Sequence, residues 1–447
     1  MLSVLANLTY RRLFLAQVVA LVGTGLATVA LGLLAYDLAG AYAGAVLGTA
    51  LAIKMVAYIG VAPVVGAFAD RIPRRALLIG TDVVRALVAL VLPFVGEIWQ
   101  VYVLIFVLQS ASAAFTPTFQ ATIPDILPDE KNYTRALSLS RLAYDLETLL
   151  SPALAAALLS IMSFHWLFSG TAVGFVASAL LVAATTLPQP KPATPRVGGV
   201  YERTFRGTRI YLATPRLRGL LALTLASAAA SSMVIVNSVV IVRSLLGRPQ
   251  QDLALALAAY GAGSMVAALA LSRLLDRLSD RTVMVAAAAA LAAGLGAMAA
   301  LTAAFARDPN YWSILLAGWF VLGFAYSLSV TPSGRLLRRS ANPEDRPALF
   351  AAQFALSHAC WLIAYPLAGR VAAGANQPTA FAVLALLAAA GTMAALWLWP
   401  KNDPSVVPHR HDDLPLDHPH LLQNHRPDGE PLHDFVIDER HATWPRP

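Results

Sequence analysis

The sequence predicts an all-α membrane protein whose twelve transmembrane helices form two six-helix bundles, the second a degenerate repeat of the first. Composition is the first reason. The 447 residues are 57% hydrophobic and only 13% charged, against about 25% charged in an average soluble domain. Long apolar runs recur between short polar breaks, and motifs in the two halves repeat at a nearly constant offset.

A hydrocarbon core about 30 Å thick takes about 20 apolar residues for each helical crossing. Runs of that length occupy 13–37, 44–68, 76–95, 100–120, 137–162, 165–187, 219–242, 253–275, 282–304, 311–332, 348–372 and 377–399. The first run follows Arg11 and Arg12 and is too long for a cleavable leader, so it is expected to stay as the first span. Lys and Arg are retained in the cytoplasm during insertion. With the N-terminus inside, the opposite side holds only Arg243, Arg248, Arg307 and Arg370 among the loop cations. Both termini are then expected in the cytoplasm of a bacterial-type plasma membrane. The net charge of +8 follows from this topology and from contact with the anionic headgroups of the bilayer, which leaves nucleic acid a poor explanation. Cys360 is the lone cysteine and lies in an apolar run, so neither an intramolecular disulfide nor a thiolate metal cluster is available.

The longest internal polar stretch, 188–218, carries Pro188, Pro190, Pro192 and Pro195 with seven basic residues. It reads as a cytoplasmic linker between an N-terminal bundle, 1–187, and a C-terminal bundle, 219–399. Gly66-x-x-x-Asp70-Arg71-x-x-Arg74-Arg75 follows the second span, and Ser272-x-x-x-Asp276-Arg277-x-x-Asp280-Arg281 follows the eighth at an offset of 206. Thr116-Pro117 and Pro128-Asp129-Glu130 return as Thr331-Pro332 and Pro343-Glu344-Asp345 at an offset of 215. Parallel repeats of six spans are a transporter architecture with the substrate site near the midplane between the halves.

The stretch Gly66-Ala67-Phe68-Ala69-Asp70-Arg71-Ile72-Pro73-Arg74-Arg75 resembles the signature loop between the second and third helices of the major facilitator superfamily. Phe115-Thr116-Pro117 through Ile123-Pro124-Asp125 to Arg135-Ala136 is similar to the drug:H+ antiporter branch that includes siderophore and macrolide exporters. The resemblance implies a proton-coupled exporter of small lipophilic or organic compounds, not an enzyme, working by alternating access on a small-molecule substrate and protons. No G-x-x-x-x-G-K-[ST] loop is present, so no nucleotide cofactor is expected. In such a protein Gly66, Asp70, Arg71, Arg74 and Arg75, with Asp276 and Arg277 in the second copy, form a conformational switch. Asp125, at the end of the fourth span, is the expected acceptor for Arg71 or Arg75.

A charge near the bilayer centre costs about 2.5 to 3.5 kcal/mol even on permissive scales. Few are found there. Asp82 and Arg85 are spaced i, i+3 and Arg141 and Asp145 i, i+4, so each pair can neutralise itself on its own helix. Glu147 and Lys54 have no such neighbour. Asp145 and Glu147 point about 200° apart on a helix, and Glu147 shares a face with Ser151, which makes Glu147 the first proton-coupling candidate and Asp145 the second. An interhelical salt bridge from Glu147 to Lys54 without any transport role is the competing reading. Gln17, Gln109, Asn237 and His358, with Lys54, are the remaining candidates for the cavity wall, chosen by depth; His358 occupies the repeat position of Tyr144.

The tail, 400–447, holds seven of the nine histidines, nine prolines and nine acidic residues. It is too polar to fold alone. His409, His411, His418 and His420 suit borderline metals such as nickel, cobalt or zinc, and the tail resembles that of nickel-resistance exporters, so divalent metal efflux is one alternative function. A solvated tail, or a pad docked on the basic loops through Phe435-Val436-Ile437 and Trp444, explains the same residues without metal. A membrane sensor built on a transporter frame and a lipid flippase complete the alternatives.

Overall fold

The computed structural model describes residues 2–68, 73–187, 200–342, 345–403, 435–437, 441 and 444, and among them finds helices and turns but no strand. Six long helices make the first bundle: α1 (Leu8–Ala39), α2 (Ala43–Phe68), α3 (Arg74–Val91), α4 (Ile98–Ile126), α5 (Glu130–Leu159) and α6 (His165–Ala183). The linker contains a helix of its own, α7 (Val200–Ala213). The second bundle comprises α8 (Pro215–Val240), α9 (Gln251–Leu275), α10 (Asp280–Phe305), α11 (Tyr311–Val330), the short α12 (Ser333–Arg339), α13 (Arg346–Gly374) and α14 (Gln377–Leu398). Ten segments among the described residues are long and apolar enough to cross a membrane; one of them, Leu8–Val61, takes in α1 and most of α2. The 30-residue α5 completes twelve.

Backbone polar groups cannot be left bare in hydrocarbon, which is why each crossing is helical throughout. Side chains at the polar breaks fix where helices begin. Asn7, Asp129, Ser279 and Asn376 each accept a hydrogen bond from the backbone three residues on, the N-cap arrangement that satisfies an otherwise orphaned N–H.

The two bundles repeat the same packing. α1 lies on α6 as α8 lies on α14, and α3 lies on α4 as α10 lies on α11. Between bundles α2 packs on α13 and α5 on α9. Exchange of the halves maps one contact onto the other. Without a hydrophobic drive between helices in lipid, close approach of small residues carries such interfaces. A Cβ on Gly48 would lie 2.5 Å from the Tyr365 carbonyl oxygen, and one on Gly369 would lie 2.1 Å from that of Gly44. Both contacts sit at the end of the molecule where α1 finishes and α2 begins. Gln251 Nε2 donates to the Leu159 carbonyl (2.9 Å) at the same end. The opposite end carries the linker.

Repeat-related arginines tie the linker ends of both bundles. Arg75 donates to the Ala183 carbonyl at the end of α6, and Arg281 Nε donates to the Trp399 carbonyl (2.8 Å) at the end of α14. Arg74 pairs with Asp125, while in the second half Asp280 pairs with Arg335 at 3.5 Å. The bridge is kept and its polarity reversed.

Candidate functional site

Three groups of polar side chains converge inside the first bundle, each built from helices that the repeat packs together. Asp82 and Arg85 are buried on one face of α3 and bond to each other. Ser178 Oγ of α6 donates to Asp82 Oδ2 (2.7 Å). The Arg85 guanidinium lies between the Phe115 and Phe175 rings, 4.2 and 4.5 Å from their centroids. Cation–π contact on two faces and one carboxylate offset the desolvation of this charge.

Gln17 of α1 forms the second group. Ser140 Oγ donates to its Oε1 (3.0 Å), and Tyr144 hydrogen-bonds to Gln17 and Thr116. In the third group Glu147 and Ser151, one turn apart on α5, lie against Gly25 of α1. A Cβ there would come within 2.1 Å of Ser151 Cβ and 2.8 Å of Glu147 Oε1. Only a glycine leaves the carboxylate that position. Lys54 of α2 is within electrostatic reach of Glu147, and its Nζ stands 5.7 Å over the Tyr58 ring.

The second bundle enters through α13. Tyr58 meets Phe354 edge-on (5.9 Å between centroids) and His358 at 5.3 Å. His358 Nδ1 is 2.6 Å from the Phe354 carbonyl oxygen, which fixes the ring against its own helix. Lys54 and His358 act on each other electrostatically, as do Arg85, Tyr58 and Tyr144. A line of charge and aromatic rings thus runs from Glu147 through Lys54 and Tyr58 to His358, crossing from one bundle to the other. Sequence depth identified its ends. Tyr58 and Phe354 escaped it, although Lys54 and Tyr58, like Phe354 and His358, are spaced i, i+4 and so share a helix face.

Other expected residues lie elsewhere. Asn237 is fully buried and donates to the Ala368 carbonyl (3.1 Å), and a Cβ on Gly44 would meet its Oδ1 at 2.7 Å. That places it in the packed seam of α2, α8 and α13. Gln109 is half-buried on α4. The side chains of Asp145 and Arg141 fall outside the described set, as do Asp70, Arg71, His409, His411, His418 and His420. Gly66 lies near the end of α2. Among the described residues Asp125 pairs with Arg74; Arg75, one of its two expected partners, bonds instead to the Ala183 carbonyl, and Arg71, the other, lies outside the described residues. Neighbours on a helix point about 100° apart, so Arg74 faces α4 while Arg75 faces the end of α6. Asp276 and Arg277 are exposed beyond α9, and Asp280 and Arg281 make the bonds of the second copy.

A sequence profile described as Major Facilitator Superfamily matches residues 13–246 and 220–427. The chain belongs to that superfamily. It is therefore an integral membrane protein of a transporter family. It is 26% identical to macrolide efflux protein A of Streptococcus pyogenes over 153 residues, 32% of this chain and 38% of that protein. It is 31% identical to the uncharacterized MFS-type transporter YfiS of Bacillus subtilis over 120 residues, 27% of this chain and 28% of that one. These matches span well under half the length of either relative. Solved structures share the fold: a POT family transporter in complex with 5-aminolevulinic acid superposes with a TM-score of 0.69 at 11% identity, covering 88% of this chain and 96% of that one. A D-xylose-proton symporter gives 0.63 at 14% identity, covering 88% and 97%.

The described part of the tail is docked on this superfamily member's second bundle. Phe435 and Ile437 are 3% and 2% exposed, and Trp444 packs edge-on against Phe435 at 5.0 Å. Arg216, at the start of α8 and 1% exposed, lies 5.0 Å from the Trp444 ring and 3.5 Å from Asp403. Asp403 also accepts from Trp399 Nε1 (3.1 Å).

Proposed function

We propose that the protein is a secondary transporter that exports small lipophilic organic compounds in exchange for protons, with Glu147 as the proton carrier. The observation that carries the reading is the Glu147 and Lys54 pair, two opposite charges in membrane-spanning helices one aromatic ring from the bundle interface. Neutralising Glu147 by a proton would leave Lys54 uncompensated and shift it toward Tyr58 and His358. A proton on one bundle is then felt by the other, the differential interaction that any population shift between two conformations requires. Tyr58 and Phe354 supply apolar faces for a lipophilic substrate, and the efflux named for the Streptococcus pyogenes relative favours export.

The bundles meet closely at the end away from the linker, through Gly48, Gly369 and Gln251. With the linker placed in the cytoplasm, as the distribution of Lys and Arg favours, this is a conformation closed to the outside. Asp70, Arg71, Arg74, Arg75 and Asp125 would then be remade as a switch when the linker end closes, and the two bundles, 1–187 and 219–399, would rock as the two moving bodies.

The test is transport into proteoliposomes with an imposed pH gradient, using an organic cation dye and a macrolide as probes. Glu147→Gln is expected to abolish gradient-driven transport and to keep probe binding within about threefold, since removing one buried charge interaction without the aromatic faces costs a fraction of the affinity. Undiminished gradient-driven transport by Glu147→Gln would defeat the assignment.

A further inference from the structure

Two clefts on the outer side of α3 meet at Ala76. The first, 470 Å³, lies at the linker end and is lined by Arg74, Arg75 and Ile79 of α3 with Thr186 and Leu187 beyond α6. The second, 550 Å³, is a groove between α3 and α4 with Gly80, Val84, Phe106 and Val107 on its walls. Around that groove α3 and α4 expose Val83, Leu87, Val103 and Phe106. Such a surface is stable only against hydrocarbon. The groove therefore opens toward acyl chains, and the first cleft lies where a span meets the polar headgroups.

The chemistry of the two clefts is unlike. Asp125 offsets the charge of Arg74, but Arg75 gives an N–H to the Ala183 carbonyl, an uncharged partner, and keeps its full positive charge beside the cleft. A guanidinium has five N–H donors in a fork that suits phosphate oxygens. Glycine in mid-helix costs about 1 kcal/mol relative to alanine. Here it holds the groove open: a Cβ on Gly80 would meet no atom within 4 Å.

We propose that the joined clefts form a binding site for one anionic phospholipid of the bilayer. Its phosphate lies on Arg75 and the edge of Arg74, and the upper part of one acyl chain fills the groove between α3 and α4. A zwitterionic lipid would bring its own cation toward Arg75, so charge complementarity favours a headgroup with net negative charge. Arg75 stands about 7.5 Å along the helix axis from Gly80 at 1.5 Å per residue, a separation that a single lipid spans. The occupant clasps α3 to α4 and α6 beside the Arg74 and Asp125 bridge.

Full-length protein exchanged into mild detergent with equal phosphatidylglycerol and phosphatidylcholine, then weighed by native mass spectrometry, reads the retained lipid directly. Wild type is expected to keep phosphatidylglycerol in preference. Arg75→Gln should lower that preference about fivefold, since one basic residue near an anionic lipid surface contributes about 1 kcal/mol, and leave phosphatidylcholine retention unchanged. Gly80→Leu tests the groove separately. Its Cβ meets no atom within 4 Å and the rest of the side chain points into the groove's open volume, so the variant should fold as wild type and retain less of both lipids. Equal retention of the two lipids by wild type, a preference that survives Arg75→Gln, or full retention by Gly80→Leu would each overturn the site.

Discussion

Gly25 sets the position of the Glu147 carboxylate, and a methyl swap across that contact measures how tightly. In Gly25→Ala the new Cβ falls 2.1 Å from Ser151 Cβ and 2.2 Å from its Oγ, where carbon atoms at rest stand about 3.5 to 4.0 Å apart. Relief requires α1 and α5 to separate or Ser151 to turn away. Either movement carries Glu147, one turn below, out of its place near Lys54. Overpacking of this kind costs about 1 to 3 kcal/mol, and the gain in helix propensity returns about 1, leaving a net loss of up to about 2 kcal/mol. Adding Ser151→Gly removes both clashing atoms. The Glu147 oxygen, 2.8 Å from the new Cβ, is the end of a flexible chain and can yield. The double variant should recover most of the lost stability, with a coupling energy of at least about 1 kcal/mol. Melting in detergent followed by light scattering, with gradient-driven transport alongside, supplies the four corners of the cycle. If Gly25→Ala is as stable and active as wild type, or if Ser151→Gly fails to relieve it, the carboxylate is not held by this contact.

The two linker-end bridges differ in polarity, so Arg74→Asp with Asp125→Arg gives the first half the sense of Asp280 and Arg335; its yield should exceed that of either single variant, as read by fluorescence size-exclusion chromatography. Each single change should cost no more than about 1 kcal/mol, the range for partly exposed pairs. Phe435→Ala removes a buried ring of the docked tail, and side chains of this size contribute about 3 to 5 kcal/mol when well packed; limited proteolysis should then cut between Asp403 and Phe435 at a much higher rate, with the twelve spans intact. For the metal alternative, equilibrium dialysis of the full chain against nickel at pH 7.5 should detect binding that falls when His409, His411, His418 and His420 are all replaced by alanine and weakens near pH 5.5, because only neutral imidazole is a ligand. Equal uptake by both forms would remove that function.

Hydropathy and helical spacing were enough to place the spans, because each is a property of neighbouring residues. A run of about 20 apolar residues is helical in a bilayer whatever surrounds it. The same holds for the Asp82 and Arg85 bond, written in an i, i+3 spacing, and for the common face of Glu147 and Ser151. Tertiary structure alone decided that Asp125 takes Arg74, that Asn237 seals a seam, and that Tyr58 joins Lys54 to His358 across the bundles. It also buried Phe435 and Ile437 of a tail whose composition is that of a solvated segment. The reason is that neighbouring helices in lipid are selected by shape, through glycines such as Gly25, Gly48 and Gly369 that admit a partner backbone or a particular side chain. Period and composition determine which face of a helix is polar; which polar face it meets depends on how closely two backbones can approach.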